Sequence, residues 1–305
     1  MTMNDEQVAI RVVDLRKRYS GGTIANEGIN LAVERGEVFA LLGHNGAGKT
    51  TLVRQITGEL MPTSGEITVC GVDVLRRPRE ARRFLGVVPQ EAELFGHLTV
   101  MEHLYYFGRL RGLDRKTVAS RSEDLIRHLN LVEHVRKATS QLSGGLKRKL
   151  LVGIAMIARP PVLILDEPTT GLDPFSRHEV WSLVRQCQLA GTAVLLTTHY
   201  MDEAENLADR VGIVSGGSLL TVGTVEELHA RIGHRYRLTF GSPDKKRPGH
   251  LRRLTEYGAT VADLQSRAAE LGLDEYSVAR TSLEDIYMEI AGQQLCREVH
   301  RAAMA

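Results

Sequence analysis

Apolar residues along this chain come in short, often β-branched runs that glycine, proline or polar clusters bring to an end. Val8–Asp14, Gly36–Leu42, Glu66–Val69 and Leu85–Pro89 predict strands, with Ser20–Gly22 a turn between the first two. Gly43 to Thr51 is a glycine-rich turn feeding a helical segment, Leu52–Glu59, which Pro62 and Gly65 halt. From Thr99 to about Ser140 the period becomes helical, with Leu104, Phe107, Leu110 and then Leu125 and Leu129 at helical spacings. Thr99-Val100-Met101-Glu102 has the form of a capping box, hydroxyl and carboxylate together satisfying orphan amides at a helix start.

Leu142–Ala158 predicts a glycine turn opening another helix. Val162–Leu165 and Ala193–Thr197 are apolar strands flanking a helix, Pro174–Leu189, which is the spacing of a βαβ unit and so of a parallel sheet. Val211–Ser215 and Ser218–Thr221 around Gly216-Gly217 predict a hairpin. After Ala230 the composition shifts. Tyr236–Phe240 predicts a strand and Ser242–Gly249 a polar linker, and Ser282–Asp285 caps an amphipathic helix carrying Leu283, Ile286, Tyr287 and Ile290. The expected organisation is an α/β domain over residues 1–232, with a helical insert at about 94–158, and an accessory extension over 233–305.

Composition narrows the partners rather than the fold. Of 305 residues, 43% are hydrophobic and 25% charged, which excludes a disordered chain. Thirty-nine basic residues face 37 acidic ones for a net charge of +2, so nucleic acid is not an expected partner. Cys70, Cys187 and Cys296 lie too far apart for a disulfide framework or a zinc site. No run reaches the ~20 apolar residues that cross a bilayer, and the polar N-terminus lacks the order of a signal peptide. A cytoplasmic chain is expected, reaching a membrane only through a partner that spans it.

Candidate chemistry begins with Gly43-His44-Asn45-Gly46-Ala47-Gly48-Lys49-Thr50, followed by Thr51. Glycines at these spacings let backbone amides turn inward around phosphate oxygens, and the helix that follows aims its positive end at the same anion. Lys49 would reach the β/γ-phosphates and the Thr50 hydroxyl would ligate Mg²⁺, with ATP as the expected nucleotide. Val162–Leu165 ends on Asp166-Glu167, and a buried strand should not finish on paired carboxylates unless a cation or a reaction uses them. Asp166 suits the direct or outer-sphere Mg²⁺ position, and Glu167 is placed to polarise a water as general base. A pair of acids capping the next helix is the alternative reading of those two residues.

Three more segments follow in an order that resembles the ATPase subunits of ABC transporters. Gln90 follows the strand Leu85–Pro89, Leu142-Ser143-Gly144-Gly145-Leu146 precedes Asp166 by about twenty residues, and His199 ends the strand Ala193–Thr197. With Gly171-Leu172-Asp173, the resemblance spans Tyr19 to about Gly223. It implies a P-loop NTPase core with a mixed, mainly parallel sheet, an antiparallel N-terminal β subdomain, the helical insert, and a small α+β C-terminal extension. It further implies a head-to-tail pair in which Ser143, Gly144 and Gly145 of one copy face the γ-phosphate held by the other's Lys49 loop. Gln90 would sense Mg²⁺ and the attacking water, His199 the γ-phosphate, and Asp173 would cross the interface. Tyr19 lies where the family stacks a ring on adenine, although an exposed tyrosine before a Ser-Gly-Gly turn is also unremarkable.

Leu146 stands where many members carry Gln. The Lys147-Arg148-Lys149 and His199–Ala204 segments are similar to the export branch, which includes drug, nodulation-factor and lipid exporters. The resemblance implies a separate integral-membrane permease on whose cytoplasmic side the subunit works. Leu94, Phe95, Leu98, Tyr105 and Tyr106 would either receive a permease helix or pack the insert's own core. Lys245–Arg253 would either graze anionic lipid or form a solvated linker. A soluble ABC ATPase acting in assembly or translation, and a regulatory module without hydrolysis, are the alternative functions.

Overall fold

The computed structural model describes residues 7–233, 235–243 and 251–292. The chain divides into two compact units, Met1–Thr221 and Val222–Ala305.

In the first unit, Val8–Arg18 (β1) and Ile24–Glu34 (β2) form an antiparallel hairpin, and Ser64–Val69 (β4) and Val72–Asp73 (β5) extend it in the order β2-β1-β4-β5. In β2, Ile29, Leu31 and Val33 face inward in two-residue alternation. Asn26 is buried out of that phase, across a register shift against β1. The predicted turn at Ser20–Gly22 is therefore the tip of this hairpin rather than a direct link to the next strand.

Val38–Leu42 (β3), Leu85–Val88 (β6), Val162–Asp166 (β7), Ala193–Thr198 (β8), Arg210–Ser215 (β9) and Ser218–Gly223 (β10) form a second sheet in the order β10-β9-β3-β8-β7-β6. β9, β3, β8, β7 and β6 are mutually parallel. Every residue of β3, β7 and β8 is buried, which explains their unbroken apolar character. Helices Lys49–Ile56 (α1), Gly144–Met156 (α5), Pro174–Leu189 (α6) and Met201–Leu207 (α7) pack on this sheet, and a short helix, Pro78–Ala81 (α2), lies between β5 and β6. α1 starts at Lys49, before the predicted Leu52, because the glycine turn runs directly into it.

The segment Thr99–Ser140 is not one helix. Val100–Leu110 (α3) begins on the expected capping box, and Gly112 (φ 83°) then turns the chain before Asp114 caps Arg115–His128 (α4). Short 3₁₀ turns, Val132–His134 and Thr139–Gln141, lead on to α5.

The second unit contains Val225–Ile232 (α8) and three antiparallel strands, Tyr236–Pro243 (β11), Leu251–Gly258 (β12) and Tyr276–Arg280 (β13), in the order β12-β11-β13. Val261–Glu270 (α9) covers them through Leu264 and Ala268, which pack on Leu238. A helix over 283–292 buries Leu283, Ile286 and Tyr287 as its period predicts, while Ile290 is half-buried. Of the expected linker, Ser242 and Pro243 instead continue β11; its remaining residues, 244–249, lie outside the described residues. The basic stretch Lys245–Arg253 is described only from 251, where the backbone belongs to β12, and Cys296 also lies outside. Among the described residues no helix is long and apolar enough to cross a membrane.

Candidate functional site

Parallel strands deliver their C-terminal ends to one edge of a sheet, and here four of those ends carry the candidate residues. Leu42 pairs with Thr198, Asp166 with Thr197, and Val88 with Leu165. That register sets the Gly43 turn, His199, Glu167 and Gln90 side by side.

The turn from Gly43 to Lys49 is held from outside. Ala47 accepts a hydrogen bond from the Gly217 amide at 3.1 Å, and the Asn26 amide donates to the Gly48 carbonyl at 3.2 Å. Gly48 (φ 103°) has no space for a side chain, since a Cβ there would stand 2.2 Å from the Ala25 carbonyl oxygen; at Gly43 it would stand 2.5 Å from that of Val214. Lys49 is 4% exposed, and its ammonium donates to the carbonyls of Gly43 (2.7 Å) and His44 (3.1 Å). It also lies 3.5 Å from Glu167 Oε1. Burial pulls the Lys49 ammonium below the usual lysine range despite that carboxylate.

Asp166 is 1% exposed and accepts a short hydrogen bond from the Thr197 hydroxyl, whose oxygen in turn accepts from the Glu167 amide at 3.1 Å. Desolvation raises the Asp166 carboxyl above its ordinary range, against hydrogen bonds from Thr197 and Thr50 that pull it down. Glu167 sits in left-handed backbone (φ 50°), a conformation that costs a non-glycine residue of the order of 1–3 kcal/mol and persists only where surroundings fix it. Its carboxylate is the centre of the cluster: Gln90 Nε2 at 3.4 Å, the Thr170 hydroxyl at 3.3 Å, and His199 Nδ1 at 3.3 Å but off the hydrogen-bonding direction. The Thr50 hydroxyl donates to Gln90 Oε1 at 3.3 Å. The paired acids therefore do not cap the next helix; Asp173 does that.

A cavity of about 350 Å³ opens over this cluster, lined by Asn45, Gly46, Gly48, Lys49, Thr50, Thr51, Gln90 and Glu167. The amides at the start of α1 and the Lys49 ammonium suit a polyphosphate. Thr50, Gln90 and Asp166 offer only hard oxygen donors, and Mg²⁺ takes one or two such protein groups beside waters and phosphates. The remaining wall is Thr23, Ile24 and Ala25 of the β1–β2 hairpin, which the sequence reading missed. Tyr19 does not line the cavity. Its ring lies 5.3 Å from the Lys17 ammonium, and it is 39% exposed.

Ser143, Gly144, Gly145 and Asp173 also stay away from this cavity's lining. Ser143 caps α5, accepting from the Leu146 amide at 3.4 Å, and nothing lies within 4 Å of a Cβ built on Gly144. Asp173 caps α6, accepting from the Ser176 amide (2.9 Å) and hydroxyl (2.7 Å), and these bonds hold its carboxyl below the usual range. Thr197, Thr170 and Asn26 are further contributors that single residues within strands and turns gave no motif to reveal.

A parallel sheet with a lysine-bearing glycine turn and two acids at the neighbouring strand end is the frame of a P-loop ATPase. The family model described as "ABC transporter" matches residues 26–170. Daunorubicin resistance ATP-binding protein DrrA3 of Streptomyces coeruleorubidus is 44% identical over 225 residues, covering 74% of this chain and 71% of that protein. Linearmycin resistance ATP-binding protein LnrL of Bacillus subtilis is 37% identical over 224 residues, covering 73% and 72%. Human phospholipid-transporting ATPase ABCA3 is 33% identical over 316 residues, 94% of this chain but 18% of that protein. Among solved structures, an ATP-binding subunit of an ABC transporter superposes with a TM-score of 0.69 at 31% identity, covering 74% of this chain and 93% of its own. Clostridium perfringens cbiO1, part of the ABC transporter complex cbiONQ, gives 0.68 at 30% identity, covering 74% and 92%. The chain belongs to the ABC transporter family and is an ATP-binding ATPase domain of it.

Proposed function

We propose that this chain powers export through a separate integral-membrane permease, as one of two identical ATPase subunits that close on ATP at the cytoplasmic face of the membrane. The supporting observation is the cluster of Lys49, Gln90 and His199 around the Glu167 carboxylate. Lys49 and the α1 amides hold the β- and γ-phosphates, and Thr50, Gln90 and Asp166 hold Mg²⁺, which when bound neutralises charge on the phosphate oxygens. Glu167 takes a proton from the attacking water, Gln90 orients that water, and His199 donates to the γ-phosphate.

The exposure of Ser143 and Gly144, outside the lining of the chain's own Lys49 cavity, supports a partner copy supplying the second half of each site. Asp173 would face that copy, and Tyr19 would meet adenine after a shift of the hairpin tip. Phe95 stacks on His103 and Phe107 at ring separations of 6.1 and 6.4 Å yet remains 56% exposed, so it both packs the insert and offers a face to the permease. The exporter reading draws on the names of the resistance proteins and the lipid transporter it resembles. The 233–305 region is proposed as an accessory domain to this 1–232 ATPase.

Glu167→Gln is the direct test. It should retain ATP binding, abolish turnover and accumulate an ATP-bound dimer on size exclusion. Turnover at the wild-type rate would remove Glu167 from the role of base, and a strictly monomeric variant at saturating ATP and Mg²⁺, even beside the permease, would remove the pair.

A further inference from the structure

The helix that opens at Ser143 also sends a side chain back towards the acid cluster, and none of the roles above uses it. Arg148, one turn into α5, gathers five backbone carbonyls. Its Nε donates to Pro168 at 2.8 Å, and one terminal nitrogen donates to Asp166 at 2.9 Å and Glu167 at 2.7 Å. The other terminal nitrogen reaches Pro89 at 3.3 Å and Gln90 at 3.4 Å. Those carbonyls belong to two strand ends, β6 and β7, whose loops carry Gln90 and Glu167.

We infer that Arg148 is a positioning residue for ATP hydrolysis, fixing the Gln90 and Glu167 backbones in one geometry and tying that geometry to the tip at Ser143–Gly145. This deepens the proposed function and rests on Glu167 acting as base. Three features carry it. The guanidinium is a planar fork with five N–H donors on three nitrogens, so a single side chain can satisfy five carbonyls spread over two loops, whereas an ammonium has three donors on one atom. Glu167 occupies left-handed backbone, and its carbonyl is one of the two that Arg148 approaches most closely in this turn, so the strained conformation has a charged donor holding it. α5 is also anchored on its next residue, where the buried Lys149 ammonium pairs with Glu179 of α6. A shift of α5 would therefore be passed to Gln90 and Glu167 through Arg148 rather than absorbed by a slack helix. Leu146 cannot make the polar contacts of a glutamine, which leaves Arg148 as the charged donor from this turn to the acid loop.

The test uses the full-length chain with Arg148→Ala, Arg148→Lys, Gln90→Ala and the Arg148→Ala/Gln90→Ala double variant. Arg121→Ala is the control, since Arg121 also donates to a backbone carbonyl (Ile157, 3.1 Å) but away from the site. Arg148→Ala should lower kcat about 10- to 100-fold while the dissociation constant for ATP moves less than threefold, and Arg148→Lys should recover part of kcat. In the nucleotide-free chain, amide exchange at Glu167 and Thr170 should quicken in Arg148→Ala but not in Arg121→Ala. With Gln90 already removed, Arg148→Ala should cost under threefold, because both changes disturb the same water. The inference is overturned if kcat stays within twofold, if kcat and ATP affinity fall together with thermal stability, or if the double variant is simply multiplicative. Glu167→Gln separates the levels: surviving turnover there sinks the base assignment, whereas its loss beside an unaffected Arg148→Ala sinks only this inference.

Discussion

The turn at Gly43–Lys49 and the turn at Ser143–Gly145 both feed a helix N-terminus, α1 and α5, yet the first is enclosed at Gly43 and Gly48 while the second stands open at Ser143 and Gly144. At Gly43 and Gly48 the chain's own carbonyls stand where a Cβ would go, so those glycines are demanded by packing already present. At Gly144 nothing lies within 4 Å, and its φ is not left-handed, so nothing in the chain itself demands glycine there. A residue type that its own surroundings do not require points to a requirement from outside. The enclosed turn is half of a site, and under the proposed pairing the open turn would be half of another copy's site.

Alanine at the two positions separates these demands most sharply. Gly48→Ala must adopt φ near 103° with its Cβ 2.2 Å from a backbone oxygen, so it should cost more than about 2 kcal/mol of stability and lose ATP binding in the isolated chain. Gly144→Ala lies at the first position of α5, where alanine is the better helix former by about 0.5–1 kcal/mol at most. Thermal melting and equilibrium ATP binding by the monomer should leave this variant unchanged, while dimer-dependent turnover falls. Equal losses of monomer binding in both variants would end the distinction.

Ser143→Ala is an intermediate case. As a cap its hydroxyl accepts only a 3.4 Å bond at an exposed position, so melting should shift by the lower part of the ~0.5–2 kcal/mol range for such caps. If the same hydroxyl meets a phosphate on another copy, a charge-assisted bond worth about 1.5–3 kcal/mol is lost, and turnover of the assembled transporter should drop at least about tenfold. A turnover loss no larger than the stability loss implies would reduce Ser143 to a cap.

The two turns also differ in how far they could be read from the sequence. The phosphate loop is eight contiguous residues in which local geometry sets Gly43, Gly46, Gly48 and Lys49, and β3, β7 and β8 announce themselves as unbroken apolar runs. The convergence of Gln90, Glu167 and His199 follows once the parallel register is known, since each ends or follows a strand. What escaped has a common cause. β2 does not read as a strand, since only its Ile29–Val33 half alternates and a register shift puts Asn26 out of phase, and Arg148 acts on carbonyls, which every residue possesses and no motif records. Ile24 and Thr23 line the site through a hairpin whose second strand the pattern hid.

The smallest effects come from comparing one aspartate in each setting, and here the two should carry opposite signs. Enclosed Asp166 has its carboxyl raised by desolvation, so between its unfolded and folded pKa the native state binds the extra proton and stability falls as pH rises. Asp166→Asn keeps an oxygen for the Thr197 hydroxyl and removes that penalty, so its stability gain over wild type should be full at neutral pH and shrink on acidification. Glu203, likewise buried and raised, is unchanged in that comparison and cancels. Open Asp173 is lowered by bonds from Ser176, so its contribution is present above the unfolded pKa and lost as pH falls through the folded one. Asp173→Asn should therefore be slightly less stable than wild type at neutral pH, with the deficit vanishing in acid. Chemical denaturation of both variants and wild type from pH 7 down to the carboxylate range measures this directly. Deficits of the same sign in both variants would mean that burial does not distinguish the two settings electrostatically, and the contrast between enclosed and open halves would then rest on shape alone.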